Sequence, residues 1–507
     1  MIIDGHNDLA LRIWRGEPPR HLDLETARAA GFAGGFFAVF VPNEEDFEEP
    51  DSVPYVVPLA PPVPRERARR IALELIETIE QLDVRIARRV SDFREGRVTA
   101  FVHLEGAEPL APDLSDLREW FDRGVRSIGL VWSRPNAFAE GVPFCFPATP
   151  DTGPGLTDAG RALVRACNER GILVDLSHLN AAGFWDVAQL SDAPLVATHS
   201  NAWTLCESTR NLMDDQLDAI ARSGGVVGVN FATGFLRADG DNTPDTSLSE
   251  IVRHVDYLVE RMGADHVAFG SDFEGAVVPA ELGGAAGLPR LVQALASSGH
   301  DERTLAKITH ENWLRVLGAT WKPWHRFFEA AGTDPRPTLL DAAGRFDEPG
   351  FAVDLGAGGG RDTAELLRRG WSVLAIDGEA EGIARLLALA GDSPRLTTQV
   401  GRFEDADWPA CDLVNASYAL PFCPPEAFPA LWRRIVETLR PGGRFSGQLF
   451  GDRDQWADGL LTFSRGQAEA LFAAFALERF EEVEENGATA IGESKHWHLF
   501  HVVARKV

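Results

Sequence analysis

The chain is poor in cysteine and in positive charge, and it has no long apolar run. Its five cysteines (Cys145, Cys167, Cys206, Cys411 and Cys423) are an odd number without a Cys-x-x-Cys pair. Neither a disulfide framework nor a cysteine-type zinc site is indicated, and a reducing cytosol fits. Lysine and arginine number 49 against 76 aspartates and glutamates, a formal charge of −27. Such a surface repels phosphate backbones and anionic lipid, so neither nucleic acid nor a membrane is expected as a partner. No stretch approaches the roughly 18 to 20 apolar residues that cross a bilayer. The opening Met-Ile-Ile-Asp-Gly-His lacks the basic start and apolar run of a signal peptide. The expectation is a cytoplasmic protein acting on small molecules, with a homodimer as an allowed assembly.

What is present is 507 residues of ordinary globular composition, too long for one typical domain. Eight short apolar, β-branched runs precede residue 275: Met1–Asp4, Ala33–Val41, Val98–Leu104, Val125–Val131, Ile172–Leu176, Leu195–Thr198, Val226–Phe231 and Val267–Gly270. Stretches of helical periodicity separate them, which predicts a (β/α)8 TIM-type barrel over residues 1–320. The acidic, proline-rich loop from Pro42 to Pro64 reads as a solvated excursion placed to shade the barrel mouth. From about Trp321 the pattern restarts, and a strand at Phe351–Leu355 runs into Gly356-Ala-Gly-Gly-Gly360. A glycine-rich turn after a first strand opens a Rossmann-like α/β domain over 321–507, so the whole chain is an α/β protein.

Polar residues interrupt the barrel strands at consistent places. His6 and Asp8 follow the first strand, Glu105 the third, His178 the fifth, His199 the sixth and Asp272 the eighth. These are carboxyl ends, the face where barrel enzymes keep their chemistry. The i, i+2 spacing of His6 and Asp8 lets one cation take an imidazole nitrogen and a carboxylate oxygen, and His178 with His199 would serve a second. Glu105 has two oxygens and could bridge the pair, holding a water between them, and Asp272 could take that water's proton. Single histidines are more often hydrogen-bonded structural residues, and His103, His254, His266, His300 and His310 are placed in that group.

The motifs Asp4-Gly-His-Asn-Asp8, His103-Leu-Glu-Gly106, Asp175-Leu-Ser-His178, Thr198-His-Ser200 with Arg210-Asn-Leu, and Gly270-Ser-Asp-Phe-Glu-Gly275 resemble the membrane (renal) dipeptidase family over about residues 1–318. The resemblance implies a dinuclear zinc site that cleaves dipeptides, often with a D-residue at the C-terminal position. It assigns His6, Asp8 and Glu105 to one zinc, and Glu105, His178 and His199 to the other. Glu105 and Asp272 become catalytic, and Arg210 binds the substrate carboxylate with its planar fork. Two positions depart from the family. Trp132 stands where animal members carry a substrate-contacting His, and Glu274 replaces a common Asp, a change expected to have little effect.

In the second domain Asp354 ends the first strand and Asp377 the second, and Gly401-Arg-Phe-Glu-Asp405 follows in order. This succession resembles class I S-adenosylmethionine-dependent methyltransferases. It implies that Asp354, Gly356, Gly358 and Gly360 cradle the amino-acid end of S-adenosylmethionine, that Asp377 holds the ribose, and that Glu404 and Asp405 lie at the adenine. The tail Lys495-His-Trp-His-Leu-Phe-His501 alternates like a closing strand, with His496 or His498 left as candidates for the methyl-acceptor pocket. The expected whole is a bifunctional hydrolase and methyltransferase for small molecules. The competing reading is a metal-dependent hydrolase of a non-peptide amide or lactone, joined to a non-catalytic S-adenosylmethionine-binding module.

Overall fold

The structure is a computed structural model, and it describes every residue except 44–51, 88–89, 94–96, 322–323, 458–459 and 493. The acidic part of the Pro42–Pro64 loop therefore lies outside the described residues. The chain divides into two compact units, Met1–Lys322 and Pro323–Val507.

In the first unit eight parallel strands close on themselves: β1 (Ile2–Asn7), β2 (Phe32–Phe40), β3 (Val98–Glu105), β4 (Val125–Gly129), β5 (Leu173–Asp175), β6 (Val196–Ser200), β7 (Val226–Val229) and β8 (Val267–Phe269). Closure is made where β1 pairs with β8 (Asp4 opposite Phe269) and where β2 pairs with β3 from Gly34–Thr99 to Phe40–Glu105. Each strand coincides with one of the eight apolar runs. The helices between them follow from spacing: in Arg65–Gln81 the buried residues are Ala68, Ile71, Ala72, Leu75, Ile76 and Ile79, an i, i+3, i+4 stripe. Asp158–Arg170 starts at a Thr157 hydroxyl that caps the Gly160 N–H and stops at Gly171, whose φ of +67° suits a glycine.

The amino-terminal end of the barrel is plugged with apolar groups. Ile3, Phe36, Phe101, Leu173, Val196, Val226 and Ala268 pack with Trp313 and Trp321, and the Trp313 indole N–H donates to the Phe269 carbonyl at 3.0 Å. Polar side chains are thereby left to the opposite mouth. At Gly228 and Gly270 a Cβ would fall 2.0 Å from the Thr198 carbonyl oxygen, so only glycine lets these strands approach β6 so closely.

The second unit is one twisted sheet with β9 (Phe351–Leu355), β10 (Ser372–Asp377), β11 (Leu396–Val400), β12 (Cys411–Ala416), β13 (Leu439–Gly451), β14 (Phe475–Ala488) and β15 (Ser494–Lys506). Its order is β11-β10-β9-β12-β13-β15-β14, parallel through β13 and antiparallel at β15 and β14. The order reverses at β9, and the crevice beyond the carboxyl ends of β9 and β12 is where such sheets bind ligands. Among the described residues no helix is long and apolar enough to cross a membrane.

Candidate functional site

The barrel mouth brings together all six side chains that the strand ends single out. His6 Nε2 lies 3.4 Å from Asp8 Oδ2 and 3.6 Å from Glu105 Oε2. The other glutamate oxygen, Oε1, faces His178 Nε2 at 3.1 Å and His199 Nε2 at 3.8 Å. Glu105 thus stands between two groups of ligand-type atoms, one oxygen turned to each. His6, Glu105 and His199 offer ligand atoms within 4.8 Å of one another, as do His6, Asp8 and Asp272.

The orientation of His199 follows from its neighbours. The Thr198 hydroxyl has one proton and gives it to Asp175 Oδ2 at 2.7 Å, so toward His199 Nδ1 at 2.8 Å it can only accept. The His199 proton is therefore on Nδ1, and its Nε2 lone pair points at His178 Nε2, 3.2 Å away. Hydroxyl contact at Nδ1 is repeated in His178, where Ser133 Oγ sits at 3.1 Å. Both nitrogens of buried His6 lack a hydrogen-bond partner. Lone pairs converging in a buried space, with unpartnered nitrogens beside them, are the arrangement that a bound cation completes. The donor set of imidazole nitrogens and carboxylate oxygens fits zinc or a similar divalent ion.

The field points the same way. Burial lowers the basicity of His6, but Glu105, Asp8 and Asp272 overcome it and raise its pKa to about 10. Burial pushes the carboxyls of Glu105 and Asp272 up, helped by the other acids. Burial and the nearby cationic groups hold His178 and His199 well below the usual histidine range. Asp272, Glu105 and Asp175 act on a fixed cation, Arg210, which is buried with its Nε unpartnered and its guanidinium 5.5 Å from the Phe235 ring.

His178, Asp272 and Glu274 all have positive φ (66°, 60° and 71°), a cost that the surrounding contacts must hold. Asn230 Nδ2 donates to Asp272 Oδ2 at 2.9 Å. A Cβ at Gly275 would lie 2.2 Å from Asp8 Oδ2 and 2.6 Å from Asp272 Oδ1, so this glycine gives both carboxylates their place. Trp132 lies on the wall, its ring 5.9 Å from that of His178 and 5.5 Å from Phe144. Glu274, the departure expected to have little effect, is buried beside the mouth. One oxygen accepts the N–H groups of Arg20, His21 and Leu22, and the other faces Arg12 Nε at 3.2 Å, tying the segment after the first strand to the mouth.

Sequence reasoning passed over Asp4, Asp175, Asn230 and Ser133. Asp4 takes the N–H and hydroxyl of Ser271, both at 2.7 Å, and so fixes the loop that carries Asp272. Two-residue alternation with His6 and Asp8 was the signal that could have found it. Of the histidines set aside as structural, His254, His266, His300 and His310 have hydrogen-bond partners away from the mouth. His103 lies beneath the mouth, on Ser127.

In the second unit Gly356, Gly358 and Gly360 follow β9 with φ of 69°, 55° and 87°. The Gly358 N–H donates to Asp377 Oδ2 at 2.7 Å, joining the loop to the end of β10. Asp354 is buried with Thr363 Oγ1 on one oxygen and Asn415 Nδ2 on the other, so it ties the strand to the following helix. Glu404 is paired with Arg402, and Asp405 is exposed, with Cys423 near both carboxylates. His498 is held by Arg453 and Glu482, and His496 by Asn486 and Glu484. These two lie on the opposite face of β15 from Trp497 and His501.

The family model for membrane dipeptidases, Peptidase family M19, matches residues 1–324. The chain belongs to that family. A methyltransferase domain model matches residues 352–443. The dipeptidase-family barrel is 44% identical to a metallopeptidase of Rhodobacter sphaeroides, solved with a phosphinate mimic of the dipeptide L-Ala-D-Ala, with a TM-score of 0.61 over 63% of this chain and 99% of that one. Identity is 53% over 230 residues, 45% of this chain and 85% of the relative, to an uncharacterized protein in the pqqA 5' region of Klebsiella pneumoniae. It is 30% over 339 residues, 62% of this chain and 83% of the relative, to the dipeptidase verJ of Clonostachys rogersoniana. Both domains are thus of enzyme families.

Proposed function

We propose that the barrel is a zinc-dependent dipeptidase, and that the second domain transfers methyl groups from S-adenosylmethionine to a small molecule. The observation that carries the first reading is the division of Glu105: one oxygen toward His6, the other toward His178 and His199. His6, Asp8 and Glu105 would hold one ion, and Glu105, His178 and His199 the other. Bound there, two divalent ions would acidify a water and polarise the scissile carbonyl.

The remaining work falls to the protein. Asp272, held by Asn230 and with its proton affinity raised by burial and by Asp8, takes a proton from the attacking water and returns it to the leaving amine. Arg210 receives the substrate's C-terminal carboxylate on its bidentate fork and fixes the register of the peptide bond. Trp132 and Phe144 supply an apolar wall beside His178 in place of a polar contact. The relative's L-Ala-D-Ala mimic makes that dipeptide the substrate to try first. Hydrolysis of L-Ala-D-Ala and L-Ala-L-Ala, assayed with and without a chelator, tests the reading. Turnover that a chelator abolishes and zinc restores supports it, and chelator-insensitive turnover defeats it.

Support for the methyl donor comes from the left-handed glycine loop, locked onto Asp377 and the Ile376 carbonyl at the sheet's reversal point. Calorimetric titration with S-adenosylhomocysteine tests it. A cytoplasmic setting agrees with five buried free thiols.

A further inference from the structure

The acceptor side of the second domain can be read from one face of β15. Lys495, Trp497, Leu499 and His501 share that face with their partners on β13, Phe450 opposite Leu499 and Gln448 opposite His501. Tyr418, just beyond β12, meets the same surface, its ring 6.4 Å from Phe450 and 6.2 Å from Trp497. Gln448 accepts the Tyr418 N–H at 3.1 Å and donates to Thr338 Oγ1 at 2.9 Å. Tyr418 holds a φ of +58°, a strained conformation for a bulky residue at the end of a strand that faces the crevice.

Among the described residues, two cations lie over rings of this surface, and only Lys495 has a carboxylate partner there. The Lys495 ammonium is buried against Asp454, Phe450, Trp456 and Trp497 and serves the fold. Arg336 differs. Its guanidinium lies 4.6 Å from the Tyr418 ring centroid, and its backbone N–H is anchored on Asp362 Oδ1 at 2.9 Å. Its Nε is buried without a partner, and among the described residues the guanidinium has no hydrogen bond or ion pair. A half-buried guanidinium stacked on a ring, with no carboxylate hydrogen-bonded to it and with Arg361 opposing the more distant pull of Asp362, is incomplete, because desolvating the charge costs free energy that a paired anion recovers.

Resting on the methyl-donor reading above, we propose that the methyl acceptor is a small planar molecule with a carboxylate, its ring against Tyr418 and Trp497 and its carboxylate on Arg336. The stacked fork presents two parallel N–H groups to a carboxylate, which a lysine cannot copy. The aromatic wall accounts for the planar body. A carboxylate also ends the amino-acid part of the donor, so the test must separate the two sources.

The full-length protein is titrated with S-adenosylhomocysteine and with 5′-methylthioadenosine, which lacks the amino-acid end. With S-adenosylhomocysteine present, it is then titrated with benzoate, 4-hydroxybenzoate and anthranilate, each beside its neutral carboxamide. The expected result is a preference of at least tenfold for an acid over its amide, lost in Arg336→Ala and partly restored in Arg336→Lys, while both variants bind S-adenosylhomocysteine as the wild type does. No acid preference in the wild type, or one that survives Arg336→Ala, overturns the proposal. So does an Arg336→Ala variant that loses S-adenosylhomocysteine affinity but keeps that for 5′-methylthioadenosine, since Arg336 would then serve the donor. A wild-type protein that binds neither nucleoside instead fails the donor reading itself.

Discussion

In the barrel, polar groups converge without satisfying one another, whereas the carboxylates around the glycine loop are already hydrogen-bonded within the protein. His6 has both ring nitrogens unpartnered, Arg210 has its Nε unpartnered, and His199 aims a lone pair at His178. By contrast Asp354 is engaged by Thr363 and Asn415, Asp362 by Ser417 and the Arg336 N–H, and Asp377 by the N–H groups of Gly358 and Glu379. The difference separates two kinds of site. One is built around charge that must be supplied from outside, so its ligand belongs to its stability. The other is a scaffold whose carboxylates and loop N–H groups are already paired, ready for a ligand that comes and goes.

The comparison can be broken most sharply at Glu105. Glu105→Gln keeps the shape but halves the capacity to bridge, and kcat for L-Ala-D-Ala should fall on the order of 10³-fold or more. A variant within tenfold of wild type would remove Glu105 from the chemistry. Next in size is Arg210→Ala, which should raise KM by about 10- to 100-fold for dipeptides with a free C-terminal carboxylate, the loss of one charge-assisted pair. Dipeptide amides should be little affected, and an equal loss on them would deny Arg210 its role.

A smaller effect contrasts the two units directly. Chelation should lower one calorimetric transition by about 5 °C, through lost linkage to bound ions, and leave the other in place. S-adenosylhomocysteine should raise the transition that chelation spares. A chelator that moves both, or neither, erases the distinction. The least effect concerns Asp354, whose carboxyl burial and then Asp362 push up from 3.8 to about 7. Here the folded state holds a proton that the unfolded state has lost, so the second unit should lose stability as pH rises from about 4 to 7. Asp354→Asn can still pair with Thr363 and Asn415, and it should flatten that fall in a thermal melt across pH. A slope unchanged in the variant would acquit Asp354.

Much of this was legible in the sequence because both folds write themselves in short range. Eight apolar runs marked the barrel strands, and His6, Asp8, Glu105, His178, His199 and Asp272 stood at their ends. What was not legible is what holds those groups still. Glu274 reaches the N–H groups of residues 20–22, more than 250 positions away, and Asp4 reaches Ser271 across 267. Such pairs depend on which strand lies beside which, and local pattern does not encode that. The tail shows the same limit. Alternation split His496 and His498 from His501, but which face looks onto Tyr418 required the pairing of β15 with β13.

The account rests on two divalent ions held across Glu105, and metal content tests that most directly. Inductively coupled plasma mass spectrometry of the full-length wild-type chain, purified without chelator, should give about two equivalents per chain, with Glu105→Gln at one or fewer. A preparation that cleaves L-Ala-D-Ala at full rate while carrying less than a tenth of an equivalent would contradict it.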